Sequence, residues 1–452
     1  MPIVRDRIDS KGKQIVRLIK AIRLTPDTSG GGNRMYGRNK LWLPLVGLLI
    51  LGLALTGCAD ADVPADDGGG DVAEFAGTIT LGSAVSDTGR YSREGQDTRQ
   101  GYNLWLDWVN NEYGGIKVGD ERYEVEIVFY DDEGDADTAA NLVERLITED
   151  EVDFLLGPYS SGLTMSTSAI AEKYGMIMVE GNGASESIFE RGFENIFAVL
   201  TPAGNYTQAA LKALADAGAE SVVIAYEDTA FPTSVGKGAV AWAEEYGYDV
   251  LAVETYPVEV ADVSAIMTKF RDLDPDVFVG GGHFNDALLF VRAAQELGFE
   301  PDAMVITVGP SNPDFAEEVG SAANYILGPT QWEATMKWDG QYLGSPRDFA
   351  DRYEAMWGEP PTYQAAESTA TALALQAAIE NAGTTDMDAV RQALNDLDIM
   401  TFYGPIRFDE TGKQEAKPMG TIQIQDGVIN VVAPVEAAVA DLLYPMPAWE
   451  DK

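Results

Sequence analysis

Short apolar runs rich in β-branched residues alternate with helix-period segments from about residue 78 onward. The apolar runs are TITLGSAV (78–85), YEVEIVFYDD (123–132), VDFLLGP (152–158), MIMVEG (176–181), SVVIAYED (221–228), DVFVGGG (276–282) and MVITVGP (304–310). Between two of them, Leu142, Val143 and Leu146 fall on one face of a helix. Strands and helices that alternate in this way predict parallel α/β sheets with helices on both faces.

The number of these units indicates two lobes rather than one sheet. The segment FAVLTPAGN (197–205) interrupts the alternation, and we expect the chain to cross between lobes there. After Tyr325 the pattern weakens, with helices predicted around 346–357 and 363–382. A β-like tail follows, in which Asp426-Gly427 is a hairpin turn signal.

The N-terminal segment has the pattern of an export signal. Residues 1–57 contain ten Lys/Arg and three Asp/Glu, and an uncharged apolar run ends in the sequence LTGC at Cys58. This sequence resembles the bacterial lipoprotein box, which implies cleavage before Cys58 and lipidation of its sulfur. Residues 1–57 are then a leader, with Met35 as a possible true start. An uncleaved transmembrane anchor is the alternative.

Charge separates this leader from the rest of the chain. The net charge of the sequence is −42, so the part after the leader is strongly acidic, and nucleic acid is excluded as an expected partner. Residues 58–76 contain Asp, Gly and Pro and predict a flexible acidic tether. Cys58 is the only cysteine in the sequence, so no internal disulfide is expected.

Catalytic and cofactor motifs are missing from the sequence. It contains no Gly-x-Ser-x-Gly elbow and no P-loop, and His283 is its only histidine. The stretch GNGASE (181–186) lacks the third glycine of a dinucleotide fingerprint. In DDEGDADT (131–138), alanine stands where a calcium loop needs glycine, so a strand end and helix start are predicted instead. We therefore expect binding without catalysis, and neither a cofactor nor a metal.

Five segments in order resemble one family. GRYSREG, WVNNEYGGI, VFYDDEGDADTAANLVERLI, VDFLLGPYSSG and YGPIRFDETG are similar to the leucine/isoleucine/valine-binding family of extracytoplasmic solute receptors. The similarity extends over about residues 77–434. It implies the type I periplasmic binding fold, with two Rossmann-like lobes, three hinge crossings and a ligand cleft between the lobes. These receptors serve ABC importers.

The resemblance also implies lobe limits and ligand positions. Lobe 1 is expected to contain residues 77–199 and 331–400, and lobe 2 residues 200–330 and 401–434, followed by a C-terminal tail, 435–452. The first-lobe ligand positions carried over from the family are Ser160, Ser161, Asn182, Gly183, Ala184 and Ser185. Whatever the ancestry, a helix N-terminus after the two serines would attract an anion. A serine that only caps this helix is the alternative.

The resemblance also implies further candidate residues of the ligand cleft. The second lobe offers Phe231 and either His283 or Phe284, while Trp332, Tyr91 and Arg93 are additional candidates. Ser311 stands where the branched-chain amino acid receptors have an acid that pairs with the ligand's amine. The sequence at Ser311 therefore does not by itself predict that the ligand is an ordinary α-amino acid. Asp314, Glu180 or Glu333 would have to replace that acid, or the ligand is an amide, a urea-like compound or a carboxylic acid without an amine.

Together these patterns predict an extracytoplasmic solute-binding lipoprotein. It is expected to hold a small polar solute, to be anchored to the cell membrane through Cys58, and to deliver the solute to an ABC permease and its ATPase. The main alternative is a ligand-sensing receptor of the same fold with a signalling partner. Neighbouring genes for a permease and an ATPase, or for a kinase, would distinguish the two.

Overall fold

This computed structural model describes residues 75–452 of the chain. The predictions for the leader, for Cys58 and for nearly all of the tether concern residues outside this range. No helix within residues 75–452 is both long enough and apolar enough to cross a membrane.

The described residues form strands and helices that mostly alternate. The strands are β1 (Gly77–Val85), β2 (Ile116–Val118), β3 (Glu121–Asp131), β4 (Phe154–Leu156), β5 (Met178–Glu180), β6 (Ile196–Ala198), β7 (Ser221–Glu227), β8 (Asp249–Tyr256), β9 (Val277–Gly281), β10 (Ala303–Ile306), β11 (Leu327–Thr330), β12 (Asp398–Thr401), β13 (Gly404–Arg407), β14 (Gly420–Gln425) and β15 (Val428–Ala433). The helices are α1 (Ser92–Trp108), α2 (Ala136–Thr148), α3 (Ser161–Tyr174), α4 (Gln208–Asp216), α5 (Ala230–Tyr246), α6 (Ser264–Leu273), α7 (Phe284–Leu297), α8 (Pro313–Val319), α9 (Pro346–Trp357), α10 (Tyr363–Ala382) and α11 (Met387–Asn395).

Two large sheets organise these elements. The first has the strand order β2-β3-β1-β4-β5-β6, and the second has the order β15-β14-β11-β10-β9-β7-β8. Both are parallel at their centres, with antiparallel pairs at β2–β3 and at β11–β14–β15. The predicted α/β fold with two parallel-sheet lobes is confirmed.

Local sequence signals explain several boundaries. Asp135 accepts a hydrogen bond from the backbone N–H of Thr138 and caps α2, so residues 131–138 are a strand end and a helix start, as predicted. Asp426 and Gly427 have φ angles of 51° and 76° and connect β14 to β15. A two-residue turn with both φ angles positive matches the twist of a hairpin, which explains the glycine.

Helix α10 lies deep in the first lobe and carries mostly small side chains. Its first seventeen residues are all buried. It packs against α1, where a Cβ on Gly101 would lie 2.2 Å from the carbonyl oxygen of Ala365, so only glycine allows this approach. Trp105 of α1 donates through Nε1 to Oε1 of Gln376, at 2.9 Å. These contacts fix the rotation of α10 and therefore which of its residues face the space between the lobes.

The chain passes between the two sheets three times, after β6, after β11 and before β14. One residue from each passage joins a buried network. The Gln331 side chain accepts from the backbone N–H of Thr201 at 3.1 Å and donates to its carbonyl oxygen at 3.0 Å. Lys417 donates to Oε1 of Gln331 at 3.1 Å. The three connections are thus tied to one another at a single point, which we call the hinge network.

Two regions near the predicted lobe limits make contacts elsewhere in the chain. The predicted limit between residues 400 and 401 falls within β12, whose hairpin with β13 stacks Phe402 on Phe349 of α9 at 4.1 Å between ring centroids. In the C-terminal tail, the backbone N–H of Met446 donates to the carbonyl oxygen of Asp302 beside the second sheet. The residue ranges of the two lobes remain a proposal.

Candidate functional site

A small cavity lies between the two sheets. It is lined by Tyr159, Ser160, Ser161, Asn182, Ala184, Leu200, Tyr206, Phe231, His283, Val308, Tyr363 and Glu367. Ser160 and Asn182 follow β4 and β5 of the first sheet, while His283 and Val308 follow β9 and β10 of the second. The carboxyl ends of parallel strands therefore meet at the cavity, where α/β folds usually bind ligands.

Two residues of this lining have unusual backbone conformations. Ser160 has φ = 83°, and Val308, a β-branched residue, has φ = 64°. Residues other than glycine rarely adopt a positive backbone φ, and for a β-branched residue this conformation is strained. Such strain is concentrated at functional sites, where the surrounding structure maintains it. One strained residue comes from each sheet, so both lobes form the cavity at an energetic cost.

The turn before α3 presents hydrogen-bonding groups to the cavity. The Ser160 hydroxyl accepts from the backbone N–H of Leu163 at 3.4 Å and caps the helix. Ser161 Oγ accepts from the backbone N–H of Ser185 at 3.0 Å, which leaves its own proton free to be donated. The first N–H groups of α3 also face this end and favour an anion.

The loop after β5 supports this turn. The Asn182 side chain donates through Nδ2 to Ser368 Oγ at 2.9 Å, whereas its buried Oδ1 has no hydrogen-bond partner among the described residues. Ser185 Oγ lies 2.8 Å from Ser234 Oγ of α5. This hydroxyl pair connects the first lobe to the second beside the cavity.

Aromatic rings surround His283. Its Nδ1 lies 3.0 Å from the Tyr159 hydroxyl, and its ring centroid lies 4.9 Å from that of Tyr91 and 5.5 Å from that of Phe231. Burial, together with the charge of nearby Arg90, lowers the pKa of His283 to about 3. The imidazole is therefore neutral at physiological pH. It lines the cavity as a neutral hydrogen-bonding group and not as a cation.

Six of the predicted ligand positions come together in this lining, namely Ser160, Ser161, Asn182, Ala184, Phe231 and His283. The other six lie outside it. Ser185 and Tyr91 support lining residues from behind, as described above. Gly183 lies against Thr164, where an added Cβ would meet Oγ1 at 2.6 Å.

The remaining three predicted positions have other contacts. Ser311 donates from Oγ to the carbonyl oxygen of Val308 at 3.2 Å. Trp332 is buried, and its Nε1 donates to the carbonyl oxygen of Phe402. Phe284 lies at an outer groove between the lobes, with the guanidinium of Arg93 4.4 Å from its ring centroid.

That outer groove has a volume of about 510 Å³ and a charged lining. Arg93 forms an ion pair across it with Asp314 of the second lobe. Asp314 therefore neutralises Arg93 and does not face the cavity. Glu180 and Glu333 are absent from the cavity lining as well.

Sequence reasoning missed an acid that does line the cavity. Glu367 is 1% exposed and lies in the second turn of α10, where the Tyr403 hydroxyl donates to its Oε2 at 3.1 Å. Burial raises the pKa of this carboxyl well above its ordinary value. A signal was present, because Glu367 is the single charge in the run YQAAESTATALALQAAI, which otherwise has the composition of a buried helix. The pattern did not indicate what that charge faces.

Within residues 75–452, no group of three or more His, Cys, Asp or Glu side chains is arranged to hold a metal ion. The cavity combines helix N–H groups, hydroxyls, an amide, aromatic rings and one carboxyl group. These groups suit a small polar molecule.

Several known proteins are similar to this chain. The sequence profile of the periplasmic binding protein family matches residues 78–428. Leu/Ile/Val-binding protein homolog 7 of Brucella abortus is 25% identical over 388 residues, which cover 81% of this chain and 94% of that protein.

Solved structures share the fold. LivJ of Streptococcus pneumoniae, a branched-chain amino acid transporter substrate binding protein in complex with isoleucine, is 22% identical with a TM-score of 0.68, covering 79% of this chain and all of that one. A solute binding protein of an ABC transporter from R. palustris, in complex with benzoate, is 19% identical with a TM-score of 0.67, covering 80% of this chain and 98% of that one. The chain belongs to the periplasmic binding protein family, whose members here are solute-binding proteins and not enzymes.

Proposed function

We propose that this protein is the solute-binding component of an ABC importer and that it closes its two lobes around one small polar solute. The observation that carries the proposal is the cavity itself, which both lobes line and in which each contributes a strained residue. The hinge network supports it, because it ties the three connections between the two sheets together at one point. Relatives with this fold are named for binding isoleucine and benzoate, so the family alone leaves the solute open.

The solute's anionic or carbonyl end is held at the N-terminus of α3. Ser161 supports this assignment, because its proton remains available while its oxygen accepts from Ser185 N–H. A carboxylate in this position would receive charge-assisted hydrogen bonds in a site closed to water. The solute is therefore a carboxylate or an amide, and Asn182, Ala184, Phe231 and His283 form the walls around it.

Thermal unfolding with a panel of solutes tests this function. A ligand that binds only the folded protein at a hundred times its Kd adds about 2.7 kcal/mol to the free energy of unfolding. We expect a carboxylate- or amide-bearing compound to raise the melting temperature, and nucleotides to have no effect. Ser161→Ala should weaken the binding of that compound by about 1.5 to 3 kcal/mol, since a hydrogen bond to a charged group is lost. Unchanged affinity for every solute would place the binding site elsewhere.

Gly183→Val tests the supporting loop. Its side chain would meet Thr164 and displace the loop that carries Asn182 and Ala184. We expect weaker binding without a change in the preference among solutes, measured by calorimetric titration. A variant with unaltered affinity would show that the loop does not shape the cavity.

The extracytoplasmic location and the membrane anchor are separate parts of the proposal. They depend on the sequence LTGC at Cys58, outside the described residues. We infer that Cys58 carries the lipid and that the permease and ATPase receive the solute from the anchored protein. Cys58→Ala should abolish labelling by a fatty-acid analogue and leave the leader uncleaved. Persistent labelling of this variant would refute the anchor without affecting the solute site.

A further inference from the structure

A buried glutamate lies directly behind two of the loops that line the cavity. Glu180, at the end of β5, is fully buried, and its Oε1 accepts a hydrogen bond from the backbone N–H of Asn182, a lining residue. Its Oε2 would lie 1.7 Å from a Cβ on Gly157, so the carboxyl group touches the turn that carries Ser160 and Ser161. This carboxyl group therefore contacts both the loop after β5 and the turn before α3.

Among the described residues, no cation compensates a negative charge at Glu180. It forms no ion pair with any Lys or Arg in the range 75–452, and its Oε2 has no hydrogen-bond partner there. A carboxylate that is buried without a cation is disfavoured, so the group keeps its proton to higher pH. Burial accordingly raises the pKa of Glu180 to about 8. At neutral pH this residue is an uncharged acid.

The groups that face this carboxyl group from the neighbouring helices are acids and hydroxyls. Glu367 of α10 is a second acid, and the Tyr102 phenol of α1 donates to a carbonyl oxygen of the turn at 2.8 Å. From α3, the neutral Thr164 hydroxyl approaches it. Burial raises the pKa of Tyr102 well above its ordinary value, and Lys417 lies beyond Glu367 at the hinge network. Of the groups that contact the two loops, Glu180 is therefore the one that changes charge near pH 8.

The proposed solute places an anion close to this acid. Its carboxylate lies at Ser161 and the N-terminus of α3, and the Cα atoms of Gly157 and Ser160 are at most about 11 Å apart. Two negative charges about 10 Å apart in a protein change an equilibrium constant by about tenfold. An ionised Glu180 would therefore repel a carboxylate in the cavity, while an uncharged amide would be insensitive to it.

We propose that Glu180 discriminates between solutes by charge: a carboxylate binds about tenfold more tightly when Glu180 carries its proton, whereas an uncharged amide binds both forms equally. Binding of an anionic solute is thus linked to the uptake of a proton above about pH 8. This inference rests on the proposed function, since it takes the acid end of the solute to lie at α3.

Calorimetric titration measures the protons taken up with the solute. The full chain, purified in detergent, is titrated at pH 8.5 with a panel that includes L-isoleucine, benzoate and benzamide, in two buffers of different ionisation enthalpy, such as Tris and bicine. Each bound carboxylate should bring about half a proton into the protein, and its affinity should fall about fivefold between pH 7 and 9. Benzamide should bring none, and its affinity should not change over this range.

Two glutamine variants identify the proton site. Glu180→Gln keeps the shape of the side chain and should abolish both the proton uptake and the dependence of carboxylate affinity on pH. Glu333→Gln is the matched control, because burial also raises the pKa of Glu333 to about 8. Glu333 accepts from the Thr330 hydroxyl and does not line the cavity, so this variant should keep the uptake of the wild type.

A wild type that binds a carboxylate at pH 8.5 without taking up a proton would overturn the inference, and this result does not require Glu180→Gln to fold. Uptake that persists in Glu180→Gln, or that is equal for benzamide, would also overturn it, as would a panel in which only neutral solutes bind. If Ser161→Ala still weakens binding in these cases, the proposed function stands. If no member of the panel binds, both fail.

Discussion

An ion pair between the lobes permits a quantitative prediction about closure. Arg90 lies in the turn before α1, and its Nη2 donates to both carboxylate oxygens of Glu227, at 3.2 and 3.0 Å. Glu227, at the end of β7, is 1% exposed, whereas the Arg90 side chain is 23% exposed. Thr229 also donates to Glu227, at 2.7 Å. The pair links the first sheet's side of the cleft to the second.

Arg90→Met removes the guanidinium, whose central carbon lies 4.4 Å from the centre of the Tyr91 ring, and keeps most of the hydrophobic stem. Removing one partner of a fully buried pair costs about 3–5 kcal/mol, because the remaining charge is left unpaired. Arg90 is partly exposed, so water compensates for some of this loss, and we expect about 1–2 kcal/mol. The cost falls on the closed form, since opening the lobes exposes Glu227 to water. Ligand affinity should therefore fall by about 5- to 30-fold.

Two measurements check this reasoning. Calorimetric titration with the tightest solute of the panel gives the affinity, and small-angle X-ray scattering gives the radius of gyration, which should increase in Arg90→Met. The double variant Arg90→Met/Glu227→Gln should recover part of the affinity. Arg347→Met is the control, because Arg347 and Asp351 form an exposed pair within α9, and its effect should stay within about 0.5 kcal/mol. A lower melting temperature with unchanged affinity and radius would refute the closure argument and show a fixed structural contact.

Three further predictions concern stability. A Cβ on Gly157 would lie 1.7 Å from Glu180 Oε2, so Gly157→Ala should lower the free energy of unfolding by about 1–3 kcal/mol. Gly162→Ala is the control, because a Cβ there would have no neighbour closer than 3.9 Å, and it should leave the free energy of unfolding nearly unchanged. Urea titration measures both variants. Burial raises the pKa of Glu180 to about 8, so between about pH 4.5 and 8 the folded state keeps this proton while the unfolded state releases it. The free energy of unfolding should therefore fall as pH rises through that window, and Glu180→Gln should flatten this dependence on pH. An unchanged dependence in the variant would exclude Glu180 as its source. Because the net charge is −42, 1 M NaCl should raise the melting temperature relative to 0.1 M, and a decrease would show that charge repulsion is not a main destabilising force.

The two lobes were predictable because each depends on short-range patterns. A buried parallel strand is an apolar run, and the helix that covers it shows a period of 3.6 residues, so both can be recognised without knowing the partner. The β12–β13 hairpin was not predicted as such, because its four-residue strands carry no comparable run. Its position is determined by Phe402 stacking on Phe349, a contact between residues 53 positions apart, which no local pattern encodes.

The candidate site was predictable to the same extent. Ser160, Ser161 and Asn182 were carried over as ligand positions from the family resemblance. Topology agrees with that resemblance, because all three follow apolar strands whose carboxyl ends meet at one edge of a sheet. Glu367 follows no strand. It reaches the cavity because α10 packs on α1 through Gly101, and this rotation depends on tertiary contacts.

The comparison of Ser311 with Glu367 shows why a missing residue is weak grounds for excluding a ligand. Ser311 follows β10, where the resemblance leads one to expect an acid, and its hydroxyl is engaged with the carbonyl oxygen of Val308. What a buried ammonium requires is a negative charge within reach, and it does not matter which element supplies it. The residues that follow β4, β5, β9 and β10 and Glu367 of α10 all line the same small cavity, so an acid that serves this purpose need not follow β10. The ligand's chemistry is therefore better inferred from the groups that line the cavity than from any one position along the chain.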